Sequence, residues 1–252
     1  MNIREIALKV LGLVKKVKGD TVNLSDLNIG QRPTMNHDDW DSLLKKHVSK
    51  SGKVNYQGFI KDRVDLQNYL NDLSGHPPGE NWLENEKLAY WINAYNAFTV
   101  KLIVDNYPLK SIREISDGLP MINSTWDIKF FKINNVDFDL NTIEHEVLRK
   151  QFNEPRIHFA INCASVSCPK LRNEAYFSNS LNTQLEEQAF GFINSDKNII
   201  NEQETKLSKI FDWFRSDFVK EVELEDYLKK YKPLLKKENK VEYLEYDWSL
   251  NS

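Results

Sequence analysis

The sequence predicts an α+β fold, a helix-rich single domain around a small, largely antiparallel sheet. Three observations carry this. Apolar residues recur three and four apart in several segments, short β-like runs stand between turn formers, and 40% of the 252 residues are hydrophobic with Gly and Pro sparse. A chain of this length buries enough surface to fold without disulfides or a metal. The 34 Lys and Arg nearly cancel the 37 Asp and Glu, so the formal charge of −3 gives no basis for a general polyanion binder and no nucleic-acid partner is expected.

In chain order, Ile3, Ile6, Val10, Leu13, Val14 and Val17 lie at helical spacing. Arg4, Glu5, Lys9, Lys15 and Lys16 interrupt that run, which argues for an amphipathic helix rather than a signal peptide. It is expected to dock on its own domain, residues 1–18 being the one stretch suited to a membrane surface. No apolar stretch approaches a membrane span, and a cytoplasmic location is expected. Residues 1–36 read as this helix and a connector, and 37–252 as the domain. Helices are predicted over Asp38–His47, Gln57–Leu73 and Glu84–Asn106, the last apolar almost all round and therefore central. Asn134-Asn135 joins two short strands as a hairpin, and helix follows from Leu140 to Gln151. Pro155 opens RIHFAINC, read as a buried strand. Helix from Leu181, a strand near Ile199, the aromatic helix IFDWFRSDF, a charged helix and an extended YLEYDWSL complete the chain.

The segment 156–169 is the first place where chemistry could reside. A strand would deliver Cys163 to its edge, followed by the small residues Ala164, Ser165 and Ser167, whose backbone N–H groups could serve as oxyanion donors. A nucleophilic cysteine needs a base, and His158 is five residues away. On a regular strand the two face opposite sides, so His158 reaches Cys163 only if the strand bends at Asn162. The alternative is a buried structural cysteine beside a hydrogen-bonded core histidine. Glu144 falls within the apolar stripe of its helix and could orient a histidine, cap backbone donors, or pair with Arg149 or Arg156. His145 points further round, while Glu146 and Lys150 form an ordinary solvent-side pair. Asn93 and Asn96, one turn apart on an apolar helix, suggest either the polar floor of a cleft or a clamp on neighbouring backbone. His145, His158, Cys163 and Cys168 form an alternative tetrahedral zinc set, although the spacing matches no familiar module. A Cys163–Cys168 disulfide is not expected outside an oxidising compartment. No P-loop, Rossmann glycine pattern, HExxH or serine elbow is present, and no cofactor is expected.

Several blocks, in order, resemble one family: YWINAYNAFTV (Tyr90–Val100), IEHEVLR (Ile143–Arg149), RIHFAINCASVSCP (Arg156–Pro169), FDWFRSDF (Phe211–Phe218) and YLEYDWSLN (Tyr243–Asn251). The chain resembles the domain of unknown function 547 family, widespread in bacteria and divergent in plants, from about His37 to Asn251. In the plant-type versions the positions matching Glu144 and His158 stay Glu and His, and a Cys stays at or beside Cys163. The position of His145 becomes Tyr, and that of Cys168 is not kept as Cys. The resemblance therefore implies a Glu144–His158–Cys163 set rather than zinc. It is similar to the Cys–His–acid arrangement of cysteine peptidases and transglutaminase-like enzymes, with the chain order changed. Many relatives carry secretion signals; this chain departs from them.

Taken together, the expectation is a thiol-dependent hydrolase or acyltransferase acting on an amide or ester bond of a peptide or acyl-type substrate. Cys163 would be the nucleophile, His158 the general base and acid, and Glu144 the residue fixing the imidazole tautomer. Backbone N–H groups of 163–165, with Asn162, would hold the oxyanion, and Asn93, Asn96, His145 and Ser165 would surround the cleft. The competing expectation is a non-catalytic module whose cleft binds a peptide or protein, with Cys and His structural.

Overall fold

Helix α1 (Asp38–His47) starts with Asp38, Asp39 and Asp41 and ends with Lys45, Lys46 and His47, a charge order that suits the helix dipole. Its Trp40, Leu43 and Leu44 are buried as their spacing predicts. The computed structural model describes residues 34–116, 124–233, 235 and 240–252. The amphipathic segment expected before residue 34 lies outside them.

The single helix expected over 57–73 is two, α2 (Tyr56–Lys61) and α3 (Arg63–Gly75). Asn55 caps α2 by accepting from the Gly58 N–H at 2.9 Å. Asp62 stands at the break, its carboxylate drawn to His47 and Lys46 of α1. Helix α4 (Glu84–Asn106) has the expected bounds and buries residues on every side, among them Tyr90, Trp91, Ile92, Tyr95 and Phe98. Buried all round, it is the axle of the fold.

Strands β1 (Phe131–Ile133) and β2 (Val136–Phe138) pair antiparallel, with Ile133 opposite Val136. Asn134 and Asn135 both take positive φ, 49° and 67°, the turn geometry that a two-residue hairpin favours. The helix expected from Leu140 is a π-helical turn, Thr142–Leu148, that passes into α5 (Arg149–Gln151). The Arg149 N–H accordingly reaches the Glu144 carbonyl, five residues back. The expected Glu146–Lys150 pair forms on its outer side.

The buried strand expected in RIHFAINC is absent. Ile157–Ala160 is a helical turn, α6, whose amides bond locally, Ile157 to Glu154 and Phe159 to Arg156. Pro155, pre-set for a helix start, precedes it. A short apolar run buried on all sides fits strand and helix equally, so periodicity could not separate them.

Helix α7 (Leu181–Ile193) follows. A mixed sheet then places β4 (Thr205–Leu207) between β3 (Ile199–Ile200), antiparallel, and β5 (Val241–Tyr243), parallel. Between β4 and β5 lie α8 (Ile210–Trp213), α9 (Arg215–Phe218) and α10 (Leu224–Lys229). The fold is α+β, helix-rich with small sheets, as the sequence predicts.

Two hydrophobic clusters form the interior. The larger gathers α1 to α4, the hairpin and the π-helical turn; the smaller gathers Phe192, Leu207, Phe211, Phe218 and Leu228. Helix α6 belongs to both, because Ile157 and Ala160 join the first and Phe159 the second. His158 therefore sits at the seam.

Candidate active site

A cleft of about 180 Å³ opens at that seam. Glu144, His145, His158, Cys163 and Cys168 all line it, and most of the remaining wall is aromatic, with Tyr95, Trp126, Trp213, Phe214, Tyr246 and Trp248 beside Asn141, Ile161, Pro169 and Ile210. His158 comes from a helical turn and Cys163 from the loop after it, so the alternating faces of a strand do not apply; both line the cleft, but no hydrogen bond joins His158 Nδ1 to Cys163 Sγ.

His158 is stacked on Phe214 with ring centroids 4.1 Å apart. Its Nε2 lies 2.8 Å from Asp217 Oδ2. A carboxylate accepts, so Nε2 carries the proton and Nδ1 is the basic nitrogen. Nδ1 is buried and has no hydrogen-bond partner among the described residues. Burial holds the His158 pKa below the usual imidazole value, although Asp217 pulls the other way. Asp217 also receives Arg149 Nε at 2.5 Å. Burial raises its pKa, but the bonds from His158 and Arg149 outweigh that and hold the carboxyl far below the usual range.

The tautomer-fixing contact expected of Glu144 is thus made by Asp217. Glu144 is wholly buried, and its Oε2 accepts from the Tyr95 hydroxyl at 3.1 Å. Burial pushes its pKa up, partly offset by His145, Tyr95 and Arg149. The wide π-helical turn presents Glu144 and His145 to the same cleft. His145 Nδ1 is 2.8 Å from an Arg149 guanidinium nitrogen, a donor, so the ring accepts there. Burial lowers the His145 pKa as well.

Cys163 is half-buried and Cys168 buried, both free thiols. Their sulfurs are 2.9 Å apart. Around Cys163 Sγ stand Ser165 Oγ at 3.2 Å and the Tyr246 hydroxyl at 3.3 Å. Ser165 donates to the Tyr246 oxygen, which leaves the Tyr246 proton for the sulfur. The bond with Cys168, then those with Tyr246 and the Ser165 backbone N–H, hold the Cys163 thiol below its ordinary pKa despite burial. Burial, reinforced by Cys163, pushes Cys168 well up. The two thiols are thus shifted in opposite directions, Cys163 toward ionisation and Cys168 away from it.

The remaining expected groups are committed elsewhere. Cys163 N–H donates to Cys168 Sγ and Ala164 N–H to Asn162 Oδ1, each at 2.9 Å, so neither backbone donor is available as an oxyanion hole. Asn162 also donates to the Pro169 carbonyl and accepts from Asn251, holding the loop in which Ala164 takes a φ of 60°. Asn93 clamps Tyr176 backbone with both amide atoms, and Asn96 bridges the Ala160 carbonyl and Asn162 N–H. They form the floor beneath the loop and do not line the cleft; the clamp alternative describes them. Among the described residues no three His, Cys, Asp or Glu side chains converge as a metal-binding group. His145, His158, Cys163 and Cys168 share the cleft without assembling the zinc set weighed from the sequence.

Asp217 and Tyr246 are the functional candidates that sequence reasoning passed over. Each lies in a block that marked the family resemblance, FDWFRSDF and YLEYDWSLN, more than fifty residues from the side chain it meets, His158 for Asp217 and Cys163 for Tyr246. The comparison with known families confirms that resemblance over the core of the chain: residues 80–193 match the family described as "Protein of unknown function, DUF547". This stretch belongs to the DUF547 family. It contains Glu144, His145, His158, Cys163 and Cys168, whereas Asp217 and Tyr246 lie beyond it. No curated protein and no solved structure matches the chain. The expected cysteine-peptidase or transglutaminase-like fold therefore stays an inference from residue types alone. No helix among the described residues is long and apolar enough to cross a membrane.

Proposed function

We propose that this DUF547 chain is a thiol-dependent hydrolase or acyltransferase acting on an amide or ester bond, with Cys163 as nucleophile. The observation that supports this most is the environment of Cys163 Sγ: half-open to an aromatic cleft and ringed by Cys168, Ser165 and Tyr246. Hydrogen bonds to the charged form of a thiol favour its ionisation, and the thiolate is the nucleophile.

His158 is the general base and acid, working through Nδ1, and Asp217 fixes its tautomer. His158 Nδ1 would take the Cys163 proton, the sulfur would add to the acyl carbon, and a thioester would form as the amine or alcohol departs with that proton. Water or a second acceptor would then release the acyl group, with Nδ1 taking its proton. Tyr246 O–H, 3.3 Å from the sulfur, is a donor for charge on the acyl oxygen. Glu144, buried in the same cleft with its pKa raised, is a second proton source.

The test is the rate of iodoacetamide labelling of the native chain from pH 5 to 9 with peptide mapping, followed by a screen of aryl esters and acyl thioesters. Cys163 should label rapidly at pH 7, and His158→Ala and Asp217→Asn should abolish ester turnover while leaving the fold intact by circular dichroism. If Cys163 labels only after denaturation, the thiol is structural. The aromatic wall of Trp126, Trp213, Tyr246 and Trp248 would then favour the second reading, a peptide-binding groove.

A further inference from the structure

From the juxtaposed sulfurs of Cys163 and Cys168 we infer that the loop 163–168 is a peroxide-responsive dithiol, in which Cys163 is oxidised first and Cys168 resolves it as an intramolecular disulfide. Nothing in acyl chemistry calls for a second thiol. Yet Cys168 lies against Cys163 at 2.9 Å between sulfurs, and although both border the cleft, Cys168 is buried while Cys163 is partly exposed. That asymmetry assigns the order of events. A small hydroperoxide entering the cleft meets the more exposed Cys163 thiol first.

The loop is already folded for closure. Cys168 Sγ accepts the Cys163 N–H, and Cys168 N–H returns to the Ser165 carbonyl at 3.2 Å, so the chain curls back on itself within six residues. Asn162 and Pro169 are tied to each other across its base. Closing from contact distance to a covalent S–S bond needs a displacement of about 1 Å, with no element moved.

In the first step the Cys163 thiolate attacks one peroxide oxygen. An S–O bond forms, the O–O bond breaks, sulfur is oxidised by two electrons to sulfenic acid, and the peroxide is reduced to hydroxide or the parent alcohol. In the second, the Cys168 sulfur attacks Cys163 sulfur. The S–S bond forms as the S–O bond breaks, and the departing hydroxide takes the Cys168 proton and leaves as water. A dithiol reductant reverses the bond by exchange, returning two protons and two electrons.

Oxidation removes the nucleophile of the proposed acyl chemistry, so the same loop would couple activity to redox state. It shares Cys163 with that reading but not its reaction. A chain inert toward every ester can still close the disulfide, and an active hydrolase can fail to.

The experiment treats the reduced full chain with one to ten equivalents of hydrogen peroxide, quenches with N-ethylmaleimide, and reads intact mass and non-reducing peptide maps. The expected result is loss of two hydrogens, a Cys163–Cys168 cross-link, and full recovery on adding dithiothreitol. Cys168→Ser should accumulate a dimedone-reactive sulfenic acid at Cys163 and proceed to sulfinic acid. Cys163→Ser should leave Cys168 unoxidised at the same dose. Circular dichroism of both variants, and a Cys168→Ala chain should the serine not fold, keep the comparison sound. Sulfinic acid at Cys163 of the wild type without a cross-link, exclusively intermolecular disulfides, or two thiols untouched at ten equivalents would each overturn the proposal.

Discussion

An imidazole shut away from water prefers to be neutral, and His37 shows how much stability depends on that preference. Its Nδ1 meets the Tyr69 hydroxyl at 2.8 Å, and burial lowers its pKa from 6.5 to about 4, with Asp38 opposing only weakly. Below 6.5 the unfolded chain takes up the proton and the folded one does not, so stability is full above that value and is lost as pH falls toward about 4. A shift of this size corresponds to roughly 3 kcal/mol. Urea midpoints between pH 7 and 4 should therefore fall steeply in the wild type and less so in His37→Gln; parallel slopes would assign the acid sensitivity elsewhere. The same physics acts at the cleft. A lowered His158 pKa keeps Nδ1 unprotonated at neutral pH, and a lowered Cys163 pKa should place the midpoint of its alkylation profile below the ordinary thiol value. Tyr246→Phe removes one donor from the sulfur. A bond worth about 1 kcal/mol should slow labelling at pH 7 about five-fold and move the midpoint up, with the plateau at high pH unchanged.

At the scale of elements, much was legible because periodicity is unambiguous over long stretches. Helix α4 was readable to both ends, and the Asn134-Asn135 turn was evident from its residues, since both positions demand left-handed backbone. Asn135→Gly should raise the thermal midpoint by a degree or more, and Asn135→Val should lower it, the branched side chain being costly at a φ of 67°. Short elements were less readable. The run RIHFAINC is apolar, but its fate depended on whether a neighbouring strand existed to pair with it, which no local pattern records. The π-helical turn was equally hidden, because Thr142–Leu148 reads as an ordinary helix until a hydrogen bond skips one residue. For the site, residue types were legible and partners were not. Cys163, His158 and Glu144 could be named from their unusual settings, whereas Asp217 meets His158 across fifty-nine residues and only folding brings it there.

Across the whole molecule, the last residues before Ser252 tie distant parts together. Asn251 accepts from the Tyr56 hydroxyl, donates to Asn162, and through its backbone bonds Val54 and Ala164. Ser249 and Asp247 carbonyls receive the Val166 and Ser167 amides. The thiol loop is therefore held from one side by α4 through Asn96 and from the other by this tail. Asn251→Ala leaves Tyr56 and Asn162 each short of a partner, and should cost about 1–3 kcal/mol in urea unfolding. Labelling of Cys163 should also lose its single-exponential character as the loop samples several positions. A variant that loses stability without broadening the labelling kinetics would mean that Asn96 alone sets the loop.

The four residues of α6 have a consequence for how the protein fails. Alternate side chains of one turn are pinned in two separate interiors, with His158 between them. Neither interior can loosen without rotating that turn and pulling the imidazole off Phe214 and Asp217. The turn thus behaves like a rivet through two plates: damage in either plate should disturb the surroundings of His158 early, before the chain as a whole unfolds.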